Sequence, residues 1–160
     1  MKTNYFVCLL TVAYLALLVK VIVFKLPIDP AQLAELNIWN QLSQGNYVPL
    51  KTILIYLSGE PSWNIAIRNI GGNIIPFIPL GLFIPLIHKR LSKFGYVFVI
   101  AFILSLMLEA MQILFQVGVF DIDDLILNVL GAIIGYTVFL GTMSLFDIIK
   151  RSFPQNTRRP

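Results

Sequence analysis

The sequence predicts an all-α fold: an integral membrane four-helix bundle with an external loop carrying a short amphipathic helix. Three observations carry that prediction. Of the 160 residues 58% are hydrophobic and 12% charged, against roughly a quarter charged in soluble domains, and the mean hydropathy is +0.82. Four apolar runs approach the length of about 20 residues that a bilayer core requires. The basic residues gather at the ends of those runs on one side, which is how a multi-pass protein is oriented. This length fits one membrane domain over residues 1–150, followed by a flexible cytoplasmic tail over 151–160.

The first run, Tyr5 to Phe24, resembles a secretory signal at first sight because Lys2 precedes it. It is long for a signal core and continues past Lys20 to Lys25 without a small-residue cleavage site. A retained first helix is expected, with Lys20 reaching towards its far end. The external segment then extends to about Arg68. Within it Asp29-Pro30 reads as a helix cap with proline at the first helical position, and Gly45 as the stop. That predicts a short helix carrying Leu33, Leu36, Trp39 and Leu42, lying on the bilayer or over the bundle. "NYVPLKTILIYL", Asn46 to Leu57, follows as a second apolar piece, too short to span and suited to a re-entrant or interfacial position.

The second run, "IGGNIIPFIPLGLFIPLI" from Ile70 to Ile87, is interrupted by Pro76, Pro79 and Pro85. Proline removes backbone hydrogen bonds, so a kinked or partly unwound helix inside the bundle is expected. The third run, Tyr96 to about Val117, contains Glu109 and Gln112. The fourth, Leu125 to Phe146, opens behind Asp121, Asp123 and Asp124. With four spans, Lys2, Lys89, Arg90, Lys93, Lys150, Arg151, Arg158 and Arg159 share one side, against Lys25, Lys51 and Arg68 on the other. Both termini are therefore expected in the cytoplasm. Six carboxylates fall outside and only Asp147 inside.

Spacing brings the polar residues of three helices to a similar depth near the outer face. Asn69 and Asn73 share a face of the second helix, Glu109 and Gln112 a face of the third, and Asp124 and Asn128 a face of the fourth. Ligand-binding candidates are therefore Arg68, Asn69, Asn73, Glu109, Gln112, Asp121, Asp124 and Asn128. Each has a plainer reading. Glu109 paired with Arg68 would be structural, whereas ionisable groups at membrane depth default to function. Asp121, Asp123 and Asp124 suit the positive end of a helix. Gly131 and Gly135, four apart, suit close helix packing.

Other chemistry is poorly supplied. Cys8 is the single cysteine and His88 the single histidine, which leaves no disulfide framework, thiolate metal site or Ser/His/Asp triad. Asp121, Asp123 and Asp124 could offer oxygen ligands to a divalent cation, but "DIDDLILN" lacks the glycine and closing glutamate of a calcium loop, and no metal or other cofactor is expected. The basic residues orient spans, so nucleic acid is not an expected partner.

These same segments resemble the VanZ-like family, bacterial membrane proteins named after a teicoplanin-resistance protein. "NIGGNIIPFIPLGLFIPL" is similar to its asparagine-rich Phe-Ile-Pro-x-Gly span, with Asn69, Asn73, Pro79 and Gly81. "SLMLEAMQILF" matches its Glu-x-x-Gln helix through Glu109 and Gln112. "FDIDDLILNVLGAIIGY" matches D-x-x-D-x-x-x-N-x-x-G-x-x-x-G through Asp121, Asp124, Asn128, Gly131 and Gly135. "NYVPLKTI" resembles its N-x-x-P-[FL]-x-T-I segment through Asn46, Pro49, Leu50, Thr52 and Ile53. The chain departs from the family where many members carry an arginine just before the aspartates: Val117, Gly118 and Val119 stand there, and if that arginine pairs with the carboxylates, either Arg68 or Lys51 takes its place or the acidic cluster is less neutralised.

The resemblance implies lowered susceptibility to teicoplanin and related lipoglycopeptides, as in some members, and the outer polar pocket is expected to take a membrane lipid, a lipid-linked cell-wall component or the antibiotic itself as partner. It implies no catalytic residue. An enzymatic alternative, acting on a lipid-linked envelope substrate, would use Glu109 as the acid or base with its pKa raised by burial. A proton-coupled transporter would use Glu109 as relay, but the cytoplasmic halves of the spans offer no second polar set.

Overall fold

The computed structural model describes residues 5–23 and 38–152. The described elements are α1 (Tyr5–Val23), α2 (Ile38–Ser43), α3 (Lys51–Leu57), α4 (Trp63–Ile87), a 3-10 turn (Lys89–Ser92), α5 (Phe94–Leu114) and α6 (Ile122–Ser152). No strand occurs among them. Four of the helices, α1, α4, α5 and α6, are long and apolar enough to cross a membrane, and the protein is an integral membrane protein. The expected cap at Asp29-Pro30, together with Leu33 and Leu36, lies outside the described residues, and so does the segment 153–160.

Element boundaries follow from local chemistry. Helix α4 begins at Trp63, seven residues before the apolar run, because the Ser62 side chain caps it by accepting the Ile65 N–H at 3.4 Å. It continues through all three prolines to Ile87. The hydroxyl of Tyr14 donates to the carbonyl of Pro76 at 2.6 Å, and the Tyr14 ring meets Phe83 edge-on at 5.6 Å, so α1 braces the proline-bearing helix from the side. Tyr14→Phe should therefore cost about 1 kcal/mol, the net worth of one hydrogen bond, read as a fall in the thermal midpoint of the detergent-solubilised protein with the ring contact retained.

Helix α5 stops at Leu114, earlier than hydropathy suggests. Gln116 adopts a left-handed conformation at φ 57. The Val117 N–H then reaches the Gln112 carbonyl at 2.9 Å and the Gln116 N–H the Ile113 carbonyl at 3.0 Å, a Schellman closure built without glycine. Helix α6 is longer than predicted: 31 residues, about 46 Å at 1.5 Å per residue. From Leu140 onward all its residues are exposed, so its last three turns leave the bundle.

The most extensive packing is between α4 and α6, and glycine makes it possible. A Cβ on Gly131 would collide with the carbonyl of Ile74, one on Gly135 with the carbonyl of Ile78, and one on Gly81 with the backbone of Ala132 and Tyr136. The backbones of the two parallel helices thus touch along two turns, as small residues allow in membrane interfaces. Around this seam Phe77, Leu80, Ile84, Val97, Ala101, Leu108 and Ala132 form the core, joined by Leu18 and Ile22 of α1. Tyr136, at the opposite end from the aspartates, donates to the Ser92 carbonyl at 2.8 Å, fixing the basic 3-10 turn at that end.

Candidate functional site

The polar side chains gather where α4 and α6 begin and α5 finishes, called here the acidic end. Asp121 immediately precedes α6 and accepts the Asp123 N–H at 2.8 Å, as an N-cap side chain does. Its own N–H donates to Glu109 Oε2 at 3.1 Å. Glu109, on α5, is 1% exposed, so a carboxylate from within the bundle holds the loop that starts α6.

Asp123 acts on a different helix from its own. Fully buried, it accepts the N–H groups of Leu50 at 2.5 Å, Thr52 at 2.7 Å and Ile53 at 3.1 Å. It therefore caps the N-terminus of α3, where free amides and the helix dipole favour a carboxylate. Leu50 stands there at φ 67, a conformation that costs a leucine energy and that the bond to Asp123 offsets.

Asn46 ties the same loop to α6. Its backbone pairs in parallel with Asp121: the Asn46 N–H donates to the Phe120 carbonyl at 2.7 Å, and the Ile122 N–H donates to the Asn46 carbonyl at 3.0 Å. Its amide nitrogen donates to Asp121 Oδ1 at 2.9 Å and to Thr52 at 3.0 Å, while its side-chain oxygen accepts the Val48 N–H at 3.1 Å. Tyr47 stacks on Phe120 at 5.2 Å. Asn46 is thus a hub that spacing within the spans gives no reason to select. The signal for it lies in the local chain, where an asparagine followed by "YVPL" suits a side chain closing a turn.

Asp124 faces α4, where it accepts a short hydrogen bond from Asn73, which is fully buried. Asn128, one turn on, instead donates to Ser105 of α5 at 2.9 Å. Gln112 donates to the Ile22 carbonyl at the end of α1 at 2.8 Å. Asn69 bonds its own helix at the Ile65 carbonyl, 3.1 Å away, and Arg68 is exposed. Tyr56 of α3 lies close enough to the cluster that burial first, then the charges of Asp124 and Asp121, raise its phenol above the ordinary value.

The candidates thus separate by what they touch. Asn73, Glu109, Gln112 and Asn128 are buried and engaged with neighbouring helices or the loop before α6. Asp121, Asp124 and Asn69 are partly accessible and Arg68 is exposed. Among the described residues no group of three acidic, histidine or cysteine side chains is placed to hold a metal ion. A polar residue that hydropathy does not single out, Gln41 of α2, is also buried, and among the described residues its amide atoms have no partner.

The sequence model of the VanZ/LLP1 family matches residues 11–147, a range that takes in the whole acidic end, all of α4 and α5, and α1 and α6 except their outermost turns. Protein VanZ of Enterococcus faecium is 31% identical over 129 residues, covering 79% of this chain and 68% of that protein. No solved structure matches the chain. The matched range and the identity to that protein lead to one conclusion: this chain belongs to the VanZ/LLP1 family of membrane proteins.

Proposed function

We propose that this protein lowers susceptibility to teicoplanin-type lipoglycopeptides by binding a lipid or lipid-linked envelope component at its acidic end, in the outer leaflet of the bacterial cytoplasmic membrane. The observation that carries the reading is the convergence of Asn73, Glu109, Asp121 and Asp124 at one end of the bundle in a chain of this family. Orientation is supported by charge: Lys89, Arg90, Lys93, Lys150 and Arg151 lie towards the other end, as cytoplasmic residues do. Both termini are then cytoplasmic.

In this reading the side chains divide by task. Arg68, Asn69, Asp121 and Asp124 form the rim that a headgroup meets, Arg68 supplying the positive charge for a phosphate. Asn73, Glu109, Gln112 and Asn128 hold that rim in shape. Binding is favoured over turnover because Glu109 accepts the Asp121 N–H inside the bundle, whereas a general acid or base must reach the reacting group.

The test is the susceptibility of a sensitive Gram-positive host carrying the wild-type chain or an empty vector. The expected outcome is a several-fold rise in the inhibitory concentration of teicoplanin with little change for vancomycin. An unchanged teicoplanin value contradicts the proposal. Insensitivity of the protection to Glu109→Gln at matched abundance supports binding; loss with Glu109→Gln, accompanied by chemical conversion of a lipid-linked substrate, favours the enzyme.

A further inference from the structure

None of the seven residues of α3, Lys51–Leu57, is buried, although five of them are Ile, Leu or Tyr. Leu54 is 62% exposed and Leu57 59%. The chain before α3 continues the surface through exposed Val48 and Leu50, and the first turns of α4 continue it through exposed Trp63 and Ile67. A helix of seven residues does not hold itself in water. This one is held by the buried carboxylate of Asp123 at its N-terminus, a tether that leaves Leu54, Ile55 and Leu57 exposed.

What covers them is indicated by continuity and charge. The patch runs directly into the lipid-facing side of α4, a spanning helix. Between residues 38 and 63 the only charged side chains are Lys51 and Glu60, too few for a water-facing loop of this length. Both tryptophans of the chain, Trp39 and Trp63, bracket the patch in sequence and are exposed, as residues of an interfacial aromatic belt are.

We infer that α3 and the loop before it are seated in the headgroup–acyl boundary of the leaflet at the acidic end, with the membrane's own phospholipid as partner. Lys51 extends from the first turn of α3 to the phosphate level, and Leu54 and Leu57 enter the acyl region. Asp123 then serves as an anchor that fixes the depth of an interfacial helix relative to the spans. The inference stands whether or not the protein acts on an antibiotic.

The experiment places a single tryptophan at Leu54 (Leu54→Trp with Trp39→Phe and Trp63→Phe) in phosphatidylcholine vesicles, with lipids brominated at the middle of their acyl chains or with aqueous iodide as quencher. Strong quenching by the brominated lipid and weak quenching by iodide are expected. Quenching by iodide alone overturns the inference, and protection from both quenchers overturns it in favour of a protein cover such as a second copy of the chain. Native Trp63, read alone in Trp39→Phe, repeats the measurement without altering α3.

Discussion

Gly135→Ala should cost at least about 3 kcal/mol, the upper end of the usual range for overpacking, and should lower the thermal midpoint of the detergent-solubilised protein. The Cβ would be driven into the carbonyl of Ile78 and against the backbone at Leu82. Neither neighbour is a flexible side chain that can turn away. The same holds for Gly131 against Ile74 and for Gly81 against Ala132. Gly141→Ala is the internal control: it lies on the same helix with nothing near its added methyl, and should be neutral or stabilising by up to about 1 kcal/mol through helix propensity. Thermal unfolding of the two variants side by side checks the contrast, and equal midpoints would remove the close α4–α6 seam from the account.

Asp123→Ala should release α3 without unfolding the bundle. Three backbone N–H groups lose their acceptor at once, and an unsatisfied donor costs about 1–3 kcal/mol. With part of that recovered by water, a local loss of about 3 kcal/mol corresponds to roughly a hundredfold faster amide exchange over residues 50–57. The α4–α6 seam, which does not depend on Asp123, should keep its protection. Asp123→Asn should fall between, since one amide oxygen replaces two carboxylate oxygens. Exchange measured by mass spectrometry resolves the two regions, and uniform acceleration across α4 and α6 would instead make Asp123 part of the global core.

Hydropathy was enough to locate the four spans, because burial in lipid demands long apolar runs whatever their packing. It was weaker at their ends. Trp63 to Asn69 contains Asn64 and Arg68 and so falls outside an apolar run, yet the Ser62 cap makes it helix; Gln116 closes α5 where Gly118 is the more obvious stop. The polar cluster was legible as a depth but not as a wiring diagram. Asp124 and Asn128 are four residues apart on α6, but four residues advance a helix by slightly more than one turn. At a three-helix seam that offset sends one side chain to Asn73 on α4 and the other to Ser105 on α5. Glu109 and Gln112 separate likewise, towards the loop before α6 and the end of α1. Asp123 was readable as a helix cap, but the helix it caps is distant in sequence, and only the fold brings α3 to it.

The most direct test of the central claim, that function resides at the acidic end, uses two variants on the same helix in the susceptibility assay at matched membrane abundance. Asp124→Asn removes one charge from the rim while preserving size and the ability to meet Asn73. Phe146→Leu alters an exposed residue on the part of α6 that leaves the bundle at the opposite end. Loss of teicoplanin protection in Asp124→Asn, with Phe146→Leu indistinguishable from wild type, is the expected result. Full protection by Asp124→Asn would contradict the claim, leaving the acidic end as scaffolding and moving the search for the ligand elsewhere on the molecule.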